Sequence, residues 1–207
     1  MRRNAIVTVA VLIAILALGS QIAIPAYVSS QVEERLTEKG GSAHVEVHAL
    51  PAVRLASGDG DRIEIRGKDL RFDLPPPGGD VFDRLDGFDE VDAQITNVHT
   101  GPFRVERFVL ERGKGEGTYR MVMQASSTPQ ELSQYAATQI GGRFGGFMGR
   151  FAGGLLPWDD RPVPVTIDAQ VRSDDGRATV VSASGDVAGL PVDPIAATLA
   201  AAVADRL

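Results

Sequence analysis

VPVTIDAQVRSDDGRATVVSASGDV, running from Val163 to Val187, sets the architecture. Val163, Val165, Ile167, Ala169 and Val171 alternate with Pro164, Thr166, Asp168 and Gln170. That period of two puts one set of side chains on a core and the other in water. Ser173-Asp174-Asp175-Gly176 has the chemistry of a tight turn and returns the chain into Arg177–Val187. The hairpin predicts antiparallel strands covered on one face. Strands of a parallel sheet, buried on both faces, read instead as continuous apolar runs.

The same period recurs upstream. Val45 and Val47 alternate with His44, Glu46 and His48; Ile63 and Ile65 lie within Arg62–Arg66; Leu70, Phe72 and Leu74 follow until Pro75-Pro76-Pro77-Gly78-Gly79 stops the run; Val91, Ala93 and Ile95 continue it. Phe103 and Val105 are out of phase with Phe108 and Leu110, which predicts a β-bulge near Glu106-Arg107 that bends the strand. The glycine-rich turn Gly113–Gly117 leads into Tyr119, Met121 and Met123 on one face. Two helices interrupt the strands. Thr128-Pro129-Gln130-Glu131 is a capping box opening a helix with Leu132, Tyr135, Ala136 and Ile140. Asp193-Pro194 opens another, with Ile195, Leu199, Val203 and Leu207 as its apolar stripe. Strands with a few helices and no βαβ alternation give an α+β class: an N-terminal transmembrane helix, then a curved antiparallel sheet packed around helices.

Ala5–Ile24 (AIVTVAVLIAILALGSQIAI) carries no charge and follows Arg2 and Arg3. At about 1.5 Å per residue it can span a hydrocarbon core of roughly 30 Å. The arginines mark a cytoplasmic N-terminus. Residues 1–26 therefore read as a signal-anchor in the cytoplasmic membrane, single-pass with the N-terminus inside, and residues 27–207 as an extracytoplasmic domain. A cleaved signal peptide is the competing reading; Ile24 sits where a small residue is wanted before Pro25-Ala26, and either outcome exports the domain. Ser29–Lys39 continues the helix outward until Gly40-Gly41 ends it.

Charge and composition exclude several functions. Without Arg2 and Arg3 the 21 basic residues fall to 19 against 27 acidic ones, a net charge of −8. That argues against nucleic acid as a partner and against a general basic surface for anionic lipid. Zero cysteines exclude disulfides, thiol catalysis and thiolate metal sites. No G-x-S-x-G elbow, H-E-x-x-H helix or acid–base carboxylate pair is present, so no catalytic residue is nominated and no cofactor is expected. His44, Glu46 and His48 share one strand face and have ligand chemistry, but side chains two apart on a strand point outward in parallel; they read as a solvated face, not a metal site. Asp59-Gly60-Asp61 reads as a turn, and the lysine in Gly113–Gly117 lies in a hairpin, not a phosphate loop.

Gly141–Gly154 (GGRFGGFMGRFAGG) is the unusual stretch: half of its residues are glycine, set among Phe144, Phe147, Met148, Phe151, Arg143 and Arg150. Large apolar side chains on such a backbone suit a lipid interface or a gate over an apolar cavity, with the plain alternative a loop packed on the core.

Val45–Leu70 (VEVHALPAVRLASGDGDRIEIRGKDL) resembles the signature of the LmeA-like phospholipid-binding proteins, exported proteins of the bacterial cell envelope. The elements that carry the likeness are Ala49-Leu50-Pro51, Ala56-Ser57-Gly58 and the strand of Ile63 and Ile65; the order of export helix, motif, middle helix and late hairpin up to Gly189-Leu190-Pro191 fits as well. The resemblance implies phospholipid as partner, beside the cell membrane, a tubular lipid-binding-like groove in the sheet, and a role in envelope lipid or lipoglycan metabolism; it implies no catalytic residues and leaves protein partners open. The candidate lipid-binding residues are Phe144, Phe147, Met148, Phe151, Met121 and Met123, with Arg143 and Arg150 for the phosphate. A structural or interaction module of the envelope and an envelope hydrolase are the alternatives.

Overall fold

The computed structural model describes residues 2–72, 81–100, 103–128, 162–174, 176–187, 190–191 and 193–204, of which 2–19, 72, 103, 190, 193–195, 198–199 and 202 by backbone alone. Helix α1 is continuous over Arg2–Thr37 with Pro25 inside it. Ile24, Val28, Val32 and Leu36 recur every four residues and so share a face, which packs half-buried on the core. Gly40 and Gly41, at φ 110° and 95°, turn the chain out of the helix in a conformation that other residues rarely adopt.

Among the described residues nine strands follow: β1 (Ser42–His48), β2 (Gly60–Lys68), β3 (Arg71–Phe72), β4 (Phe88–Thr100), β5 (Phe103–Arg112), β6 (Tyr119–Ser127), β7 (Val163–Asp174), β8 (Arg177–Val187) and β9 (Leu190–Pro191). They form one sheet in the order β1-β2-β4-β5-β6-β7-β8-β9, with β3 paired to β4. A short 3-10 helix (Ala52–Ser57) joins β1 to β2, helix α2 (Val81–Asp86) precedes β4, and helix α3 (Asp193–Ala204) closes the described chain.

The class is α+β, but the sheet is mixed, which corrects the expectation of an antiparallel one. β2 and β4 pair in parallel, Ile63 opposite Val91 and Ile65 opposite Ala93, and β3 also runs parallel to β4. β4 thus starts at the same end of the sheet as β2, Phe88 opposite Gly60. The remaining neighbours are antiparallel. The bulge expected in β5 is present: Val105 faces Ala125 while Arg107 faces Gln124, leaving Glu106 as the extra residue. A second lies between β7 and β8, where Val171 faces Val180 and Gln170 faces Ser182; the extra residue, Val181, is accordingly exposed. Bulges of this kind bend a sheet and raise its twist.

The inner face holds the core: Val45, Val47, Ile63, Val91, Leu110, Met121, Ile167 and Val171 are all buried. α1 covers it along the β1 edge. α3 covers it along the β8 edge. Ala196, Ala200 and Ala204 are buried there, at 1%, 0% and 3% exposure; of the predicted stripe Val203 packs half-buried against the core, and Ile195, Leu199 and Leu207 lie outside the described side chains. Gly185 sets the close approach of Ala196. A Cβ there would come within 2.6 Å of the Ala196 Cβ and 2.8 Å of the Thr166 carbonyl oxygen, so glycine on β8 and alanine on α3 bring helix and strand into close contact. The opposite face of the sheet is solvated and carries cross-strand ion pairs, among them Arg66–Asp92 at 2.6 Å and Arg120–Asp168 at 2.8 Å. The helix predicted from Thr128-Pro129 lies outside the described residues. Among the described residues no helix is long and apolar enough to cross a membrane, and the side chains of 2–19 are not among them.

Candidate functional site

The two ends of the sheet differ. The near end holds the β1–β2 connection, the β5–β6 turn and the β7–β8 turn; here α2 inserts Phe82 and Leu85, both buried, beneath the strands. Asp86, the last residue of α2, ties this end together. One of its oxygens accepts from Arg112 Nη1 at 3.0 Å and from the Tyr119 hydroxyl at 2.8 Å, and the other accepts from Ser173 Oγ. Arg112 also donates to the backbone carbonyls of Leu85 and Phe88 and lies over the Tyr119 ring, 4.5 Å from its centre. The Phe82 and Tyr119 rings meet edge to face at 5.1 Å. Burial, and then the bond to Asp86, push the Tyr119 phenol well above its ordinary range, so it stays a neutral donor. These side chains satisfy one another, and the set closes the near end of the core without leaving a proton donor or base directed at a ligand.

A second, smaller apolar cluster of Leu70, Val98, Val105 and Ala125 lies at the far end; Phe108 and Met123 bridge it to the main core, Ile95 packs against it, and all three remain only half-buried. Ile95 and Phe108 are cross-strand partners, as are Phe108 and Met123, so the three form one apolar row across β4, β5 and β6. β6 ends and β7 begins at this same end, with Ser127 paired to Val163. Residues 129–161, which include the glycine–phenylalanine stretch, leave and re-enter the described chain at this end, after Thr128 and before Pro162. Phe144, Phe147, Met148, Phe151, Arg143 and Arg150 themselves lie outside the described residues. Of the sequence-nominated residues the structure brings Met121 and Met123 onto the inner face: Met121 is fully buried, and Met123 is in the row at the far end. Sequence reasoning passed over Ile95 and Phe108 as ordinary strand residues; the signal that singles them out is the bulge, which keeps Phe108 in line with Val105 on the inner face. A cavity of about 100 Å³ lined by Val28, Gln31, Val32 and Arg35 runs beside α1, and is small against the roughly 300–1,000 Å³ of ordinary ligand pockets.

His44, Glu46 and His48 lie on the exposed edge strand. His44 meets Glu33 of α1 through Nδ1 at 3.2 Å and Glu46 through Nε2 at 3.1 Å, and Glu33 also accepts from the Val45 amide at 2.7 Å. Both ring nitrogens are thus engaged by carboxylates, and among the described residues no group of three or more ligating side chains is arranged to hold a metal ion. The Glu46 bond, with Glu33 behind it, raises the His44 pKa above 6.5. The protonated ring is favoured in the folded state, so this contribution to stability is present below pH 6.5 and is lost as pH rises through the raised value. Unfolding measured across that window is expected to show His44→Gln with a flatter pH dependence than the parent, the two converging at higher pH.

A family model described as LmeA-like phospholipid-binding matches residues 19–207. No curated protein and no solved structure matches the chain. The match runs from within α1 through every strand of the sheet to the C-terminus, covering the half-buried row and Gly141–Gly154 alike, and so the chain belongs to the LmeA-like phospholipid-binding family.

Proposed function

We propose that this chain binds a phospholipid with its acyl chain against the inner face of the sheet at the far end, where Ile95, Phe108 and Met123 are half-buried. That half-buried apolar row is the observation that carries the reading, and membership of a phospholipid-binding family supports it. Each methylene withdrawn from water contributes about 0.8 kcal/mol, so ten of them supply about 8 kcal/mol before the entropic cost of binding. Phe144, Phe147, Met148 and Phe151 close over the chain, and Arg143 or Arg150 pairs with the phosphate through charge-assisted hydrogen bonds. Ala5–Ile24 holds the domain on the outer face of the cytoplasmic membrane, where lipid is at hand for envelope lipid or lipoglycan metabolism.

Mass spectrometry of lipid extracted from the purified protein tests this. Phospholipid is expected with the parent chain in near-stoichiometric amount. The triple variant Phe144→Ser, Phe147→Ser, Phe151→Ser is expected to lose most of it while its melting temperature stays close to the parent's. A parent chain that carries no phospholipid, and takes none up from vesicles, sinks the reading.

A further inference from the structure

The near end of the sheet carries apolar side chains that the core does not use. The 3-10 turn after β1 buries Ala52 and Leu55 but presents Val53 outward at 60% exposure, and Leu50 just before it is 76% exposed. The Ala52 amide donates to Gln21 Oε1 of α1 at 2.9 Å. This bond fixes the turn at the level of residue 21 along the helix, beside the last turn of the uncharged run Ala5–Ile24. Ile22 and Tyr27, on the same length of helix, are 76% and 65% exposed. The polar groups of the turn are already satisfied: Asp61 accepts from the Leu50 amide at 2.7 Å and from Arg54 Nη1 at 2.7 Å, and Ser57 donates to Asp59.

We infer that Leu50 and Val53 form a second membrane contact, seated in the outer leaflet of the same bilayer that holds α1. This rests on the reading that Ala5–Ile24 lies in that bilayer. A helix that leaves the lipid near Ile24 carries every group bonded at Gln21 to the interface with it, because α1 is continuous and Gln21 grips the turn. What meets the head groups there is two aliphatic side chains whose neighbouring backbone amides and charges are paired internally, and aliphatic surface of that kind favours the boundary between head group and acyl chain. A tyrosine at the same level suits the interface, where one end of the ring is apolar and the other wet. The domain's net negative charge makes an apolar contact, and not a basic one, the means of holding it against lipid. The inference also gives the domain an orientation: the near end faces the bilayer. Thr37 lies about 24 Å further along α1 than Gln21, and the half-buried row lies at that far end.

The chain has no cysteine, so single-cysteine labels report without background. Full-length chain carrying Ala10→Cys, Leu50→Cys, Val53→Cys or Val181→Cys is labelled with an environment-sensitive fluorophore and reconstituted in phosphatidylcholine–phosphatidylglycerol vesicles. Each label is challenged with nitroxide-bearing lipid and with aqueous iodide. The expected result is severalfold stronger nitroxide quenching at 10, 50 and 53 than at 181, with iodide quenching in the reverse order. Labels at 50 and 53 that iodide reaches as readily as 181, while 10 remains in lipid, overturn the inference and leave the anchor standing. A label at 10 that nitroxide lipid does not reach removes the anchor, and the inference with it. Labels at 50 and 53 shielded from both quenchers signify a second copy or another protein on this face, which also overturns it.

Discussion

Asp86→Ala is expected to lower the melting temperature by about 10 °C, among the largest single-residue effects in the molecule. The carboxylate serves Arg112, Tyr119 and Ser173 at once, and it does so where the Arg112 side chain is only 11% exposed. Removing it leaves a nearly buried guanidinium without its counter-charge and a buried phenol without an acceptor. Breaking one side of such a pair costs about 3 kcal/mol, more than the pair itself contributes, because the remaining charge stays desolvated. For a chain of this length that converts to roughly 6–12 °C. Tyr119→Phe removes one hydrogen bond and keeps the ring contacts with Phe82 and Arg112, so it is expected to cost about 1 kcal/mol. Thermal unfolding followed by circular dichroism separates the two variants; a similar loss in both would show that the hydroxyl, and not the ion pair, holds α2 against the sheet.

What the sequence made legible was local. The alternations at Val45–Val47, Ile63–Ile65, Val91–Ile95, Tyr119–Met123 and Val163–Val171 all lie in strands, because a period of two over a half-covered sheet leaves its mark residue by residue. The phase change at Glu106 marks a bulge for the same reason. The parallel pairing of β2 with β4 was not legible: strand direction there is set by how the connection between them crosses the sheet, and neither strand is covered on both faces as parallel strands usually are. Nor was the close approach of Ala196 to β8, which depends on Gly185 in another element. Nothing in the sequence singles out Asp86. Its partners come from β5, β6 and β7, and only the folded chain assembles them. For the candidate site, the glycine–phenylalanine stretch was visible as composition, whereas the row of Ile95, Phe108 and Met123 needed the register of three strands.

Met121→Ala and Met123→Ala divide core from site within a single strand. Both side chains point to the inner face two residues apart. Met121 is fully buried, with Leu110 and Ala169 as its cross-strand partners; Met123 is half-buried, between Phe108 and Ile167. Truncating a fully buried methionine removes its transfer free energy and leaves a cavity, a loss of about 3 kcal/mol, so Met121→Ala is expected to melt roughly 10 °C below the parent. At Met123 the cost to folding is expected to be about 1 kcal/mol, because part of that side chain already meets solvent or ligand. The order reverses for lipid. If the acyl chain lies along Ile95, Phe108 and Met123, Met123→Ala loses contact with it and retains severalfold less phospholipid after purification, while the folded fraction of Met121→Ala retains what the parent does. Methionine suits both positions for different reasons: at 121 it fills an irregular gap in a packed core, and at 123 its flexible thioether can follow acyl chains of different shape. Lipid loss at 121 equal to that at 123 would move the ligand from the far end to the middle of the sheet, beneath α1 and α3, and would make opening of the core a condition of binding.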